Sequence, residues 1–557
     1  MPVQSDNAPE IVTLEQWRGL NQQSRRASID DQEEWWNENL FGVGPGNLRS
    51  CWGHGPVIYT APSGTTILRI FFGYIGTGNA ALGTPGPGQA FGAPPPGRLG
   101  WMWLSDGTID QVDLDSQEIT HVGGAGRKIW NAIAPQYWGS TKVWRPQWVG
   151  HTVGEEGGVL FGSPEAADQS SGGLYAWDGT TLYAPGSTAP DWLTDNVTGV
   201  DPPTTMPWGL PGIYTMEVFK ERLWVAGKDV MSFSAPSNGA DFSTANGGGS
   251  FGYFGDRLTY SFMDLCSAAG YLYVYGDSST DLISNLQLTG QGTTSSPYIT
   301  NFVYSNVDPQ VGHRFPRPVG RWGRYMTLYN GAGIYLMYGG DAQVIGEKVT
   351  NVYNTLDTSL YLPTMAPATM FGFRVMLCNG RFTDPWGVTR NLLLMWHGSI
   401  QGQEFWSIAS QDLELTNIGS YEQDSVITPY GTDGTNLYQL FAQPDPALKK
   451  HLSTKALKGQ GPSQLAIKNI KRVFLELHDN DGGGVSLTGT VSTRGGGVPN
   501  GTQDISFEIP PGQIYGLEPQ AVSCMGILGA IDLESVSPDF TLERLHIAIE
   551  ERTLFGA

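Results

Sequence analysis

The chain has 557 residues and a formal net charge of −21, yet only 15% of its residues are charged; 75 Gly and 36 Pro stand beside 18 Trp, 23 Tyr and 22 Phe. So many aromatics exclude a disordered chain, and much glycine with few long helical patterns points to short strands joined by tight turns. The acidity excludes nonspecific capture of nucleic acid through Lys/Arg stripes; it keeps the protein soluble or gives a surface that must not stick to a polyanion.

Residues 1–60 differ in character from the rest of the chain. Met1 to Asp6 has neither a basic start nor an apolar stretch, and no apolar run of about 18 residues occurs, so we expect synthesis in a cytoplasm and no membrane span. Ser28 is a plausible N-cap before the acidic turn Asp30–Glu34, which predicts a short helix over residues 28–40. Residues 1–60 read as an arm that pairs with something late in the chain.

From about residue 61 to 455, strands and turns alternate almost without pause. Ile67 to Tyr74 is a strongly apolar strand, and Ala80 to Pro96 reads as an exposed Gly/Pro/Ala-rich loop. Trp101–Leu104, Thr108–Asp113 and Glu118–Val122 form a meander. Trp148–His151, Gly158–Gly162, Gly173–Trp177 and Thr181–Tyr183 form the next. The clearest hairpin is Leu223–Ala226 and Val230–Ser234 about Gly227-Lys228-Asp229, with Ile213–Phe219 as its first strand. Further units begin near Ser267, Arg324 and Gly372, and Gly434–Phe441 reads as a closing piece. Four-stranded units spaced roughly 45 to 65 residues apart are the pattern of a β-propeller, here irregular and of about six blades. The fold class is therefore all-β.

The basic run Lys449–Lys471 reads as a solvated linker or a contact for an acidic partner surface. Beyond it, over residues 456–557, alternating strands punctuated by Gly and Pro predict a C-terminal antiparallel β-sandwich-like domain.

Chemistry is hard to find. Eight histidines are scattered singly without HxH or HExxH spacing, and no GxSxG elbow or P-loop lysine occurs. Asp277, Asp281, Asp308 and Asp341 could be gathered into an acidic site of the kind glycosidases use, but each sits beside Gly, Ser, Asn or Pro as turn aspartates do. Asp479-Asn480-Asp481-Gly482 resembles the start of a calcium loop without its closing Glu. Trp101, Trp103, Trp144, Trp148, Trp177, Trp224, Trp396 and Trp406 could stack sugars or bases, or seal the interfaces between blades. Cys51, Cys266, Cys378 and Cys524 lie far apart, as free buried thiols do. No catalytic, cofactor-binding or metal residue is assigned.

Three segments carry a family resemblance. They are Trp17-Arg18-Gly19-Leu20-Asn21 with Gly44-Pro45-Gly46-Asn47-Leu48-Arg49, the hairpin Phe219–Gly227 with Ser232-Phe233-Ser234 and Asn238–Phe242, and Tyr438–Ala442 with Ser453-Thr454-Lys455 and Arg472–Leu477. With these the chain resembles the tail nozzle proteins of short-tailed bacteriophages, also called tail hub or tail tubular B-type proteins. The resemblance implies a non-enzymatic structural protein of the virion tail with no cofactor. It implies a homo-oligomeric ring, usually a hexamer, attached to the head-to-tail adaptor and to fibres or spikes. DNA would pass through the ring without sequence-specific binding. The alternative is a propeller that binds or cleaves glycans at its central pocket. A receptor-binding fibre is disfavoured by the lack of coiled-coil repeats.

Overall fold

A computed structural model describes residues 9–44, 46–73, 98–123, 141–144, 158–163, 173–194, 205–207, 210, 212–227, 230–236, 238–252, 262–293, 295–312, 315, 319–400, 403–423, 425–457, 467–495 and 501–552. The loop expected at Ala80–Pro96 and the strand expected at Trp148–His151 lie outside these residues.

The protein is almost entirely β. Six four-stranded antiparallel sheets form the blades of a β-propeller. Blade 1 is Ile67–Gly73, Leu99–Leu104, Ile109–Asp113 and Ile119–Gly123; blade 2 is Thr141–Trp144, Gly158–Ser163, Gly173–Trp177 and Leu182–Tyr183. Blade 3 is Thr215–Phe219, Arg222–Ala226, Val230–Phe233 and Gly249–Gly252; blade 4 is Phe262–Ala268, Tyr271–Gly276, Thr280–Thr289 and Ile299–Asp308. Blade 5 is Val319–Trp322, Tyr325–Tyr329, Ile334–Met337 and Gln343–Val344. Blade 6 joins Asn417–Gln423, Val426–Thr432 and Asn436–Gln439 to a strand from the other end of the chain, Val57–Thr60.

In blades 1 to 5 the chain runs outward, so first strands face the axis and the middle strands lie between neighbouring blades. A strand covered on both faces must be apolar on both, and Arg222–Ala226 and Gly173–Trp177 are buried at every position. Tight turns join the first two strands. Ala269 and Gly270 of blade 4 both have positive φ (53° and 87°), as do Lys220 and Glu221 of blade 3 (50° and 59°); this is the backbone of a type I′ hairpin turn, whose twist matches that of the strands.

Among the described residues two larger sheets stand beside the blades. A nine-stranded sheet runs Thr364–Met370, Phe373–Thr383, Thr389–Ile400, Gln403–Ala409, Glu34–Glu38, Lys450–Thr454, Leu528–Ser535, Val485–Arg494, Gly501–Ile509. Its first four strands stand between blades 5 and 6, where Thr364–Met370 packs against the first strand of each. A six-stranded sheet contains Leu40–Val43, Asn47–Ser50, Phe540–Arg552, Ile467–Asp479 and Tyr515–Gly526, with Glu10–Leu14 also paired to Phe540–Arg552. The inner faces of these two sheets meet in an apolar core that includes Leu48, Val473, Leu475, Val491, Ile531, Leu545 and Ile547.

The arm therefore gives strands to three different sheets. The helix expected over residues 28–40 does not form; Glu34–Glu38 is a strand held between Lys450–Thr454 and Gln403–Ala409. The acidic turn looks like a helix start in isolation, but pairing on both edges outweighs local propensity. Among the described residues of the run Lys449–Lys471, which leave out 458–466, the lysines face inward or pair within the chain rather than forming a solvated linker or a free basic surface. Lys450 is buried and donates to the Asp445 carbonyl at 3.0 Å, and Lys468 is buried and donates to the Ile527 carbonyl at 3.1 Å. Lys455 pairs with Asp31, Lys449 with Glu534 and Lys471 with Glu550.

Candidate functional site: the central cavity

The first strands of blades 1, 4, 5 and 6 and of the nine-stranded sheet line a cavity of about 200 Å³, room for on the order of seven waters. Ile70 and Phe72 of blade 1, Asp264 and Cys266 of blade 4, Val319 of blade 5, Thr364 and Met365 of the nine-stranded sheet, and Asn417 and Ser420 of blade 6 line it. First strands of neighbouring blades do not share a ladder, so their edge N–H groups need other partners. Inward-facing polar side chains supply them. Thr215 donates to Asp264 at 2.8 Å and accepts the Leu265 N–H at 3.1 Å, tying blade 3 to blade 4. Glu217 accepts the Ser267 N–H at 3.3 Å across the same seam. Thr364 accepts the Ile418 N–H at 3.2 Å, and Thr369 accepts that of Ile427 at 3.0 Å, across the seam with blade 6.

Asp264 is the carboxylate of this lining, and sequence reading missed it. It interrupts the apolar run Phe262-Met263-Asp264-Leu265-Cys266 on a blade's first strand; a charge at that place was the available signal. The four aspartates singled out from sequence are not brought together around the axis. Asp281 is buried inside blade 4, accepting from Asn306 at 2.7 Å and Tyr304 at 2.9 Å. Asp308 caps a turn through the N–H groups of Gln310 and Val311. Asp277 and Asp341 are exposed in turns. Glycoside cleavage uses two carboxyl groups flanking one bond, and the described lining presents one. Asp479 spends its oxygens on the N–H groups of Asp481, Gly482 and Gly484, a loop held by its own backbone. Among the described residues no group of three or more His, Cys, Asp or Glu is placed to hold a metal ion.

Trp101, Trp103 and Trp177 seal blade 1 against blade 2, Trp224 seals blade 3 against blade 4, and Trp396 and Trp406 pack the nine-stranded sheet against blade 5, while the side chains of Trp144 and Trp148 lie outside the described ones. Trp101 of blade 1 and Trp177 of blade 2 both donate to Gln111 of blade 1, at 3.1 and 2.8 Å, within one apolar cluster spanning the two blades. Trp224 lies wholly buried between blades 3 and 4. Arg222 works inside blade 3, donating to the carbonyls of Ser234 and Gly247, both at 2.7 Å. Burial pulls its guanidinium down to about 10.

Other buried ionisable groups lie away from the cavity. Glu34 is fully buried; burial pushes its carboxyl up to about 8, against weaker opposing pulls from the Gly19 backbone, Asn37 and Lys348. His397 is depressed to about 3 by burial, with its Nε2 2.7 Å from the Ser407 hydroxyl. Cys51, Cys378 and Cys524 are buried and Cys266 half-buried, all as free thiols.

The fold and cavity define a β-propeller protein merged with a two-sheet sandwich. No known protein family matches the chain, and no curated protein matches it. Among solved structures, BBS1N in complex with ARL6DN matches at 9% identity, covering 71% of this chain and 98% of that one, with a TM-score of 0.38. The Saccharomyces cerevisiae complex of Dbp5 with Nup159 and Gle1 matches at 11% identity, over 78% and 96% of the two chains, with a TM-score of 0.25. A β-fructofuranosidase from Schwanniomyces occidentalis matches at 8% identity, over 94% and 99%, with a TM-score of 0.20. Likenesses this distant carry no argument about function.

Proposed function

We propose that this protein is a structural component of a short-tailed phage tail, a nozzle ring through which DNA leaves. The observation that supports this best is the stitching of residues 10–60 to strands roughly 400 to 500 residues later. Glu10–Leu14 and Asn47–Ser50 both pair with Phe540–Arg552, and Val57–Thr60 completes blade 6. Pulling on any of these segments then shears paired strands within a closed body, which suits a conduit loaded by packaged DNA. The propeller's own cavity is far too small for a duplex, so DNA passes between copies of the chain in a homo-oligomeric ring, a hexamer in this reading. The acidic surface repels phosphate, and the ring's ends meet the adaptor and the fibres or spikes.

Negative-stain imaging of the purified chain tests this. A ring with an opening of duplex width supports the proposal, and so does copurification with virions. A monomer that binds glycans on an array would overturn it in favour of a sugar-binding or sugar-cleaving propeller, whose site would be the lining around Asp264, Thr364, Asn417 and Ser420.

A further inference from the structure

The outer strand of a blade has one edge without a partner, and natural sheets blunt such edges with charge, proline or shortness. Five blades follow this rule. Ile119–Gly123 of blade 1 follows Glu118 and carries His121; Leu182–Tyr183 and Gln343–Val344 have two residues each. Gly249–Gly252 is half glycine, and Val57–Thr60 lies between Pro56 and Pro62. The edges of the larger sheets are guarded too: Gly501–Ile509 carries Asp504 and Glu508, and Tyr515–Gly526 carries Glu518 and Pro519.

Blade 4 breaks the rule. Its outer strand, Ile299–Asp308, has 10 residues, about 33 Å of edge, and no charged residue lies between Asp281 and Asp308. One face of this strand is already used. Phe302 packs on Trp224, Phe233 and Phe251 of blade 3 with ring centroids 5.5–5.8 Å apart, and Thr300 donates to the Gly247 carbonyl. The other face presents Ile299, 53% exposed, and Val303, 49% exposed, and among the described residues no strand pairs with the edge.

We infer that Ile299–Asp308 is the seam at which one copy of this chain meets the next; the inference rests on the ring reading above. Charge decides the occupant. A cationic partner would be drawn to the carboxylates elsewhere on a surface of net charge −21. A second copy carries that same charge and is repelled wherever it is dense, so a long, neutral, apolar-and-amide edge is where two copies approach at least cost.

The test is sedimentation velocity on the full chain over a concentration series, comparing wild type with Ile299→Glu/Val303→Glu and with the control Ile119→Glu, an equally exposed apolar residue on blade 1. Circular dichroism melts confirm that each variant folds. The expected result is an oligomer in wild type and control and at least tenfold weaker assembly in the double variant. A double variant that assembles like wild type overturns the seam and leaves the ring reading standing. A wild type that stays monomeric overturns the ring reading, and the seam with it.

Discussion

Arg222 is a charged side chain that serves as structure. Its guanidinium satisfies two carbonyls inside blade 3, so Arg222→Ala should destabilise the protein by about 3 kcal/mol, read from urea unfolding, because hydrogen bonds to a charged group are worth roughly 1.5–3 kcal/mol each. Glu34 and His397 make stability depend on pH in opposite senses. The Glu34 carboxyl is raised from 4.5 to about 8, so the folded state holds a proton that the unfolded state has released, and stability falls as pH rises through that window. His397 is depressed from 6.5 to about 3, so the unfolded state binds the extra proton and stability falls as pH drops below 6.5. The two slopes cancel between 4.5 and 6.5, leaving Glu34 alone above. The melting temperature should therefore decline from pH 6.5 to 8, and Glu34→Gln should abolish that decline in a pH series of thermal melts. Of the four thiols, Cys266 faces the cavity while the others are buried, and burial pushes Cys51 up to about 12. A thiol-reactive dye should label Cys266 in the folded protein and the other three only after denaturation.

At the scale of elements, the blade 3 turn holds Lys220 and Glu221 at positive φ, a backbone that suits Asn and Gly far better. Lys220→Asn with Glu221→Gly should raise stability by about 1 kcal/mol in the same urea assay. Blade 6 depends on the arm: Tyr59 of Val57–Thr60 donates to Asp110 of blade 1 at 2.7 Å, so Tyr59→Phe should cost about 1–2 kcal/mol by leaving a buried carboxylate short of a partner. Elements of this kind are unevenly legible in the sequence. Hairpins such as Arg222–Ala226 with Val230–Phe233 can be read because alternation and turn residues lie within a few positions of each other. Partners hundreds of residues apart cannot. Nothing near Glu34 announces Lys450–Thr454, and nothing near Lys455 announces Asp31 as its partner, so the arm's strand reads as a helix and the inward-facing lysines as a linker. The cavity lining is hidden for the same reason. Asp264 and Thr215 meet only when blades 3 and 4 are side by side, whereas the turn aspartates that stand out in the sequence stay with their own loops.

For the whole molecule, the charge balance predicts that duplex DNA mixed with the purified protein runs unshifted on a gel at low salt, where electrostatic capture would be strongest; a retarded band would count against an acidic conduit. The closure of blade 6 by Val57–Thr60 also has a meaning in time. A ribosome delivers that strand before any blade, but its partner Asn436–Gln439 arrives only after five blades, and Phe540–Arg552, which holds Glu10–Leu14 and Asn47–Ser50, arrives later still. The early strand must wait while about 380 residues are made, so the circle shuts only once Asn436–Gln439 has emerged. A polypeptide cut short before Asn436 by nonsense, stalling or proteolysis is left open, and an assembly built from closed circles excludes it without a separate inspection step.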